Sequence, residues 1–150
     1  MLTDQSNRVI SRKLMGLGAL LFLLGLLSGL IIPALTNPRM GLSSHLEGVM
    51  NGMFLILIGL SWNHLFLTTK IKTLTFWCLI YGSFANWFFV LLSAIFGTSE
   101  MTPIAGAGYK GLPWQESLVN IGLISIGLSM IIAGFFLVVG FMRKPVSNNN

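Results

Sequence analysis

Four long apolar stretches, nearly free of charge, leave this chain few ways to fold: residues 14–32, 45–67, 74–96 and 114–142. A helix rises 1.5 Å per residue, so about 20 residues cross a hydrocarbon layer of about 30 Å. Hydrophobic residues make up 54% of the chain and charged residues 9%, against about 25% charged in a typical soluble domain. So little charge cannot cover a soluble surface. The expected fold is an all-α integral membrane protein, a four-transmembrane-helix bundle built as a single membrane domain over residues 1–150.

The first stretch follows Arg12-Lys13 and exceeds the roughly 7–15 apolar residues of a secretion signal, so it reads as a retained helix. Pro33 and then Asn37-Pro38 end it. Ser43 or Ser44 is the expected N-cap of the second span, and Glu47, three residues after Ser44, completes a capping-box pattern. The linker 97–113, glycine-rich at 105–108, is longer than a bare connection needs. It is expected to act as a lid, a re-entrant segment or a site element. Trp114 reads as an interfacial anchor, and Arg143-Lys144-Pro145 as the stop before a polar tail at 148–150.

Charge sets the expected orientation. Arg8, Arg12, Lys13, Lys70, Lys72, Arg143 and Lys144 fall on one side, and only Arg39 and Lys110 on the other. Both termini therefore face the cytoplasm, and loop 97–113 faces outward. The net charge of +5 belongs to this pattern and does not point to nucleic acid.

The second span opens with His45, Glu47 and Asn51, an imidazole, a carboxylate and a carboxamide where lipid prefers Leu. Polar groups at that depth need a partner or a purpose. At 100° per residue, His45, Glu47, Gly48, Asn51, Gly52 and Gly59 share an arc of about 160°, with Met53, Leu55 and Leu60 expected to face lipid. On the third span Cys78, Gly82, Ala85, Asn86 and Ser93 cover about 100°, flanked by Tyr81, Phe84, Trp87 and other aromatics. Two such faces meeting would enclose an aromatic-walled cavity for a flat ligand. Plainer readings stand beside this one. Glu47 caps a helix or acts as an acid, the glycines pack helices, Asn51 and Asn86 bond between helices, and His45 is a satisfied interfacial histidine or a ligand. His64 reads as interfacial and the lone Cys78 as a buried apolar residue.

Common enzyme signatures are absent: there is no phosphate-binding glycine loop, serine elbow or HExxH zinc motif. Asp occurs only at Asp4, so chemistry falls to His45, Glu47, Asn51, Asn86, Tyr81, Tyr109 or a cofactor.

The run from Asn37 to Gly52, with Tyr81-Gly82-Ser83-Phe84-Ala85-Asn86-Trp87, Met101–Gly106 and Trp114-Gln115-Glu116, resembles the membrane-bound hydroxylaminobenzene mutases. A more distant resemblance is to styrene oxide isomerase, in His45 followed by Asn51-Gly52 and in Ala85-Asn86. Glu47 belongs to the mutase pattern alone. The mutase resemblance implies conversion of hydroxylaminobenzene to 2-aminophenol, moving a hydroxyl from nitrogen to the ring. Asn51, Glu47, Asn86 and Tyr81 are then the expected catalytic residues, with Trp87 and Phe84 holding a small aromatic substrate. The isomerase resemblance implies a homotrimer with haem b and His45 as axial iron ligand. Haem propionates need cationic partners near the interface, for which Arg39 and Lys110 are the candidates. No nicotinamide or flavin is expected, because the mutase product has the redox state of its substrate. The expected location is the bacterial inner (cytoplasmic) membrane, crossed by several spans. The alternatives are a haem-dependent epoxide isomerase and a non-catalytic haem- or quinone-binding or structural membrane subunit.

Overall fold

In a computed structural model, the backbone is described for residues 2–143 and the side chains for residues 5–143. The readings of Lys144-Pro145 as a stop and of 148–150 as a tail lie outside the described residues. Five α-helices follow in order: α1 (Leu2–Ile31), α2 (Pro38–Ser61), α3 (Thr69–Phe96), the short α4 (Pro103–Gly106) and α5 (Pro113–Met142). There is no strand among the described residues. Single 3-10 turns extend α1 at Ile32–Ala34 and α2 at Trp62–His64. The four long segments, Gln5–Ala34, Pro38–His64, Thr69–Phe96 and Pro113–Met142, each contain an 18-residue stretch whose mean hydropathy is 2.4, 1.2, 1.8 and 2.5 in turn, and each is long and apolar enough to cross a membrane.

The long helices pack in chain order: α1 against α2, α2 against α3, and α3 against α5, with α1 and α5 in marginal contact at most. The arrangement is a row more than a closed ring. The α1–α2 contact is the closest because glycines let the two backbones touch. A Cβ built on Gly48 would lie 2.5 Å from Gly25 Cα, and one on Gly52 would lie 2.6 Å from the Phe22 nitrogen. Ser11 Oγ donates to the Gly59 carbonyl at 2.6 Å and pins the other end of the pair. Gly18, Gly25, Gly29 and Gly122 are therefore used inside the chain, whereas Gly16, Gly127 and Gly134 have open space around them.

Two apolar clusters lie toward opposite ends of the helices. The larger joins Leu14, Leu21, Leu55, Trp62, Leu79 and Leu137 with their neighbours, and the smaller joins Met40, Val90 and Ala94. Leu55, expected to face lipid, is fully buried in the larger cluster, while Met53 and Leu60 are exposed as expected. Leu55 lies one turn beyond Asn51 on α2, on the flank that carries Asn51 toward α3.

The start of α2 differs from expectation. The N-cap is Asn37, whose Oδ1 accepts from the Arg39 and Met40 amides at 3.0 and 3.2 Å, with Pro38 as the first helical residue. Asn-Pro followed by a helix is a start signal as well as a stop signal, since proline at N1 lacks only an amide that would go unpaired anyway. Ser44 and Glu47 are thus inside the helix. Ser44 is fully buried and donates to the Trp87 carbonyl on α3 at 3.2 Å. The capping-box reading of Glu47 is excluded.

Loop 97–112 is ordered by two side chains. Gly97 ends α3 in the left-handed region (φ 72°), which a side chain would strain. Buried Asn37 accepts at its Oδ1 and donates from Nδ2 to the Gly106 carbonyl at 3.0 Å, while its amide donates to the Ala94 carbonyl at 2.9 Å. At the other edge the Glu116 carboxylate accepts from the amides of Ser99, Glu100 and Gly111 at 3.1, 3.1 and 2.9 Å. Three amides that the loop would otherwise leave unpaired thereby find one acceptor.

Candidate functional site

Between the two apolar clusters, the polar residues of α2 point to two different neighbours. Glu47 and His45 stand at opposite ends of the polar arc, about 160° apart around the helix at 100° per residue, and the glycines between them are filled by the α1 backbone. The expected shared cavity for all three polar side chains is therefore resolved into two separate polar centres.

The first faces α3. Glu47 Oε2 accepts from Asn86 Nδ2 at 2.6 Å and from Asn51 Nδ2 at 3.2 Å. All three residues are half-buried. A carboxylate oxygen only accepts, so both carboxamides must turn their NH2 groups toward it, which fixes their orientation. Each carboxamide keeps a carbonyl oxygen and a second N–H. Glu47 Oε1 has no hydrogen-bond partner among the described residues.

The second centre faces α1. His45 Nδ1 lies 2.8 Å from the Gly25 carbonyl oxygen. A carbonyl cannot donate, so the proton sits on Nδ1 and Nε2 carries the free lone pair. The ring lies against Gly29, where a Cβ would come within 2.7 Å of Nδ1. Ser28 Oγ donates to the same Gly25 carbonyl at 2.8 Å, and Trp87 Nε1 is 3.5 Å from Ser28 Oγ. Trp87 thus reaches from α3 across to α1, beside Asn86 and against Gly48.

This donor set fits an iron-bound histidine. Metal-ligating histidines donate their other N–H to a carbonyl or carboxylate, which fixes the tautomer and aims the lone pair. Among the described residues no group of three or more His, Cys, Asp or Glu side chains gathers to hold a bare metal ion. Arg39 and Lys110, the expected propionate partners, line different cavities, of about 530 and 460 Å³.

The remaining expected residues are placed elsewhere. Tyr81 lies on the flank of α3 that meets α5, where its hydroxyl is 2.6 Å from Ser125 Oγ. Ser125 donates onward to the Gly122 carbonyl at 2.7 Å, so Tyr81 is the donor of the pair. It is not brought to Glu47. Phe84 is half-buried and packs on the larger apolar cluster. His64 is exposed at the end of α2, and Cys78 is partly buried beside the core. Sequence reading missed Ser28, which carries no motif, and gave Asn37 and Glu116 no role in ordering the loop between α3 and α5.

With a row of four long apolar helices and a Glu–Asn–Asn cluster beside a tautomer-fixed histidine, the class is defined by comparison with known proteins. The chain belongs to the styrene oxide isomerase family, whose profile matches residues 10–142. It is 43% identical over 148 residues, covering 98% of this chain and 90% of the relative, to hydroxylaminobenzene mutase HabB of Ectopseudomonas oleovorans. It is 42% identical over 127 residues, covering 84% of this chain and 94% of the relative, to hydroxylaminobenzene mutase HabA of the same organism. No solved structure matches the chain significantly. Family and relatives together make the chain an isomerase of the mutase-like kind.

Proposed function

We propose that this protein is a multi-pass membrane isomerase that converts hydroxylaminobenzene, or a close aromatic hydroxylamine, to the corresponding 2-aminophenol. The observation that carries the reading is the Glu47 carboxylate held at one oxygen by Asn86 and Asn51, with its other oxygen free. The mutase relatives support the substrate class. We place both termini on the cytoplasmic side of a bacterial inner membrane, from the Lys/Arg distribution.

The reaction is redox-neutral. The N–O bond breaks, a C–O bond forms at the adjacent ring carbon, and the ring hydrogen ends on nitrogen. Neither nicotinamide nor flavin is required. Protonated at Oε1, Glu47 delivers its proton to the hydroxyl oxygen as the N–O bond lengthens, a general-acid step. The water so formed is held by the spare N–H and carbonyl groups of Asn51 and Asn86, and adds to the neighbouring ring carbon. Glu47, now a carboxylate, takes back one of that water's protons, and the ring hydrogen moves to nitrogen as aromaticity returns. Trp87, beside Asn86, walls the ring. Exclusion of bulk water keeps the electron-poor intermediate from capture at the wrong carbon.

His45, through Nε2, is the residue that would hold a haem b iron. A haem bound there would supply a Lewis-acidic iron. The Gly25 carbonyl then fixes the ring that carries it. We take the assembly to be a homotrimer, as the styrene oxide isomerase resemblance implies, with the outward-facing Gly16, Gly127 and Gly134 available for helix packing.

A second reading, isomerisation of an epoxide to a carbonyl compound, is favoured by the family match over residues 10–142. Turnover of hydroxylaminobenzene and of styrene oxide by the purified protein separates the two. Formation of 2-aminophenol without phenylacetaldehyde supports the mutase reading, and the reverse result replaces it. A Soret band in the same preparation tests the haem assignment.

A further inference from the structure

Arg39, Ser43, Glu47 and Asn51 succeed one another at intervals of four on α2, so they form one ridge along the helix. The first two of them line a cleft of about 530 Å³, closed on its other side by the α4 segment. From α2 it is lined by Arg39, Leu42 and Ser43, and from α4 by Pro103, Ile104 and Ala105. Glu47 stands one turn, about 6 Å, beyond Ser43 on the same ridge.

We propose that this cleft is the entry and holding site for the aromatic substrate, from which the ring moves one helical turn to the Glu47–Asn51–Asn86 centre. The proposal rests on the mutase reading for the identity of that substrate. The lining is mainly apolar, as the face of a small arene requires, and the volume lies within the range of about 300–1,000 Å³ typical of small-molecule sites. Arg39 has no ion-pair partner among the described residues. Its guanidinium is free to stack on an electron-rich ring. The outer wall is held by Asn37, whose Nδ2 donates to the Gly106 carbonyl at 3.0 Å, so the cleft is set by the same residue that caps α2. An arylamine ring with a polar substituent is the ligand this combination suits.

The test has a binding arm and a kinetic arm. In a Cys78→Ala background, Ile104→Cys places a thiol in the cleft and Tyr109→Cys places one on the same loop outside it. Saturating 2-aminophenol is expected to slow maleimide modification of the first by at least about fivefold and to leave the second unchanged; equal rates for Ile104→Cys with and without 2-aminophenol would overturn the proposal. In the kinetic arm, Leu42→Trp and Ser43→Trp fill the cleft from the α2 side. The expected result is a KM for hydroxylaminobenzene raised about tenfold with kcat retained, the signature of lost binding that does not reach the chemical step. Unchanged KM in both variants also overturns the proposal. Failure of the wild-type protein to form 2-aminophenol from hydroxylaminobenzene would count against the mutase reading alone, because the labelling arm needs no turnover.

Discussion

Asn86 on α3 donates a 2.6 Å hydrogen bond to Glu47 on α2, and Asn51 meets the same carboxylate oxygen from the next turn of α2 at 3.2 Å. The short contact joins two helices at the level between the two apolar clusters and leaves the other oxygen of Glu47 without a hydrogen-bond partner among the described residues. The proposed chemistry depends on that oxygen.

Glu47→Gln preserves the shape and still offers an oxygen to both carboxamides, but it cannot carry the transferred proton. The expected outcome is a loss of about 10²–10⁴-fold in kcat for 2-aminophenol formation, the usual contribution of a general acid, in a protein that purifies and elutes like wild type. Activity within threefold of wild type would remove Glu47 from the mechanism.

Asn86→Ala and Asn51→Ala should differ. The Asn86 bond is shorter and crosses between helices, so its loss is expected to lower kcat more than loss of the Asn51 bond. A double-mutant cycle with Glu47→Gln, read as log kcat, tests the coupling. Additive effects would mean the three side chains do not act as a unit.

Gly29→Ala puts a methyl group within 2.7 Å of His45 Nδ1 and should break the 2.8 Å bond to the Gly25 carbonyl. If His45 holds haem, the variant loses or shifts the Soret band, as His45→Ala does. Gly16→Ala, with open space around it, should leave the spectrum unchanged. Identical spectra for Gly29→Ala and wild type would argue that the ring position does not matter to the bound group.

Gly48→Ala sets a methyl group 2.5 Å from Gly25 Cα, and backbone cannot step aside as a side chain tip can. The expected cost is about 1–3 kcal/mol, typical of overpacking, seen as a lower denaturation midpoint in detergent. Gly127→Ala, which meets nothing within 4 Å, is the matched control. Equal midpoints would show that α1 and α2 are less tightly joined than their backbones indicate.

Glu116→Ala strands the amides of Ser99, Glu100 and Gly111. Hydrogen exchange at residues 98–112 should accelerate while α3 and α5 keep their protection. Glu116→Gln retains an acceptor oxygen and should fall between the two. Unaltered exchange in the alanine variant would mean that Asn37 alone orders the loop.

The sequence was sufficient for the long elements and for the residue types of the site. Four apolar runs determine four long helices, because a chain with so little charge must satisfy its backbone internally. Boundaries were less legible. Asn37-Pro38 carries the signals of an ending and of a beginning, and only the Asn37 side chain bonded to the Arg39 and Met40 amides decides for the beginning. That decision moved Glu47 from a helix tip into the interior of α2 and ended its reading as a cap.

A helical projection could place His45, Glu47, Asn51 and the glycines on one arc, because angle follows from spacing. It could not tell which neighbour each part of the arc meets. The tertiary structure assigns Glu47 and Asn51 to Asn86 on α3, His45 to Gly25 on α1, and the intervening glycines to direct backbone contact with α1. Tyr81 went to α5 for the same reason, since an aromatic hydroxyl takes the partner its helix face encounters. Periodicity thus determined which side chains lie together on one helix. Packing alone decided their partners, because hydrogen bonds between helices depend on which faces meet and at what depth, and that information is not local in the chain.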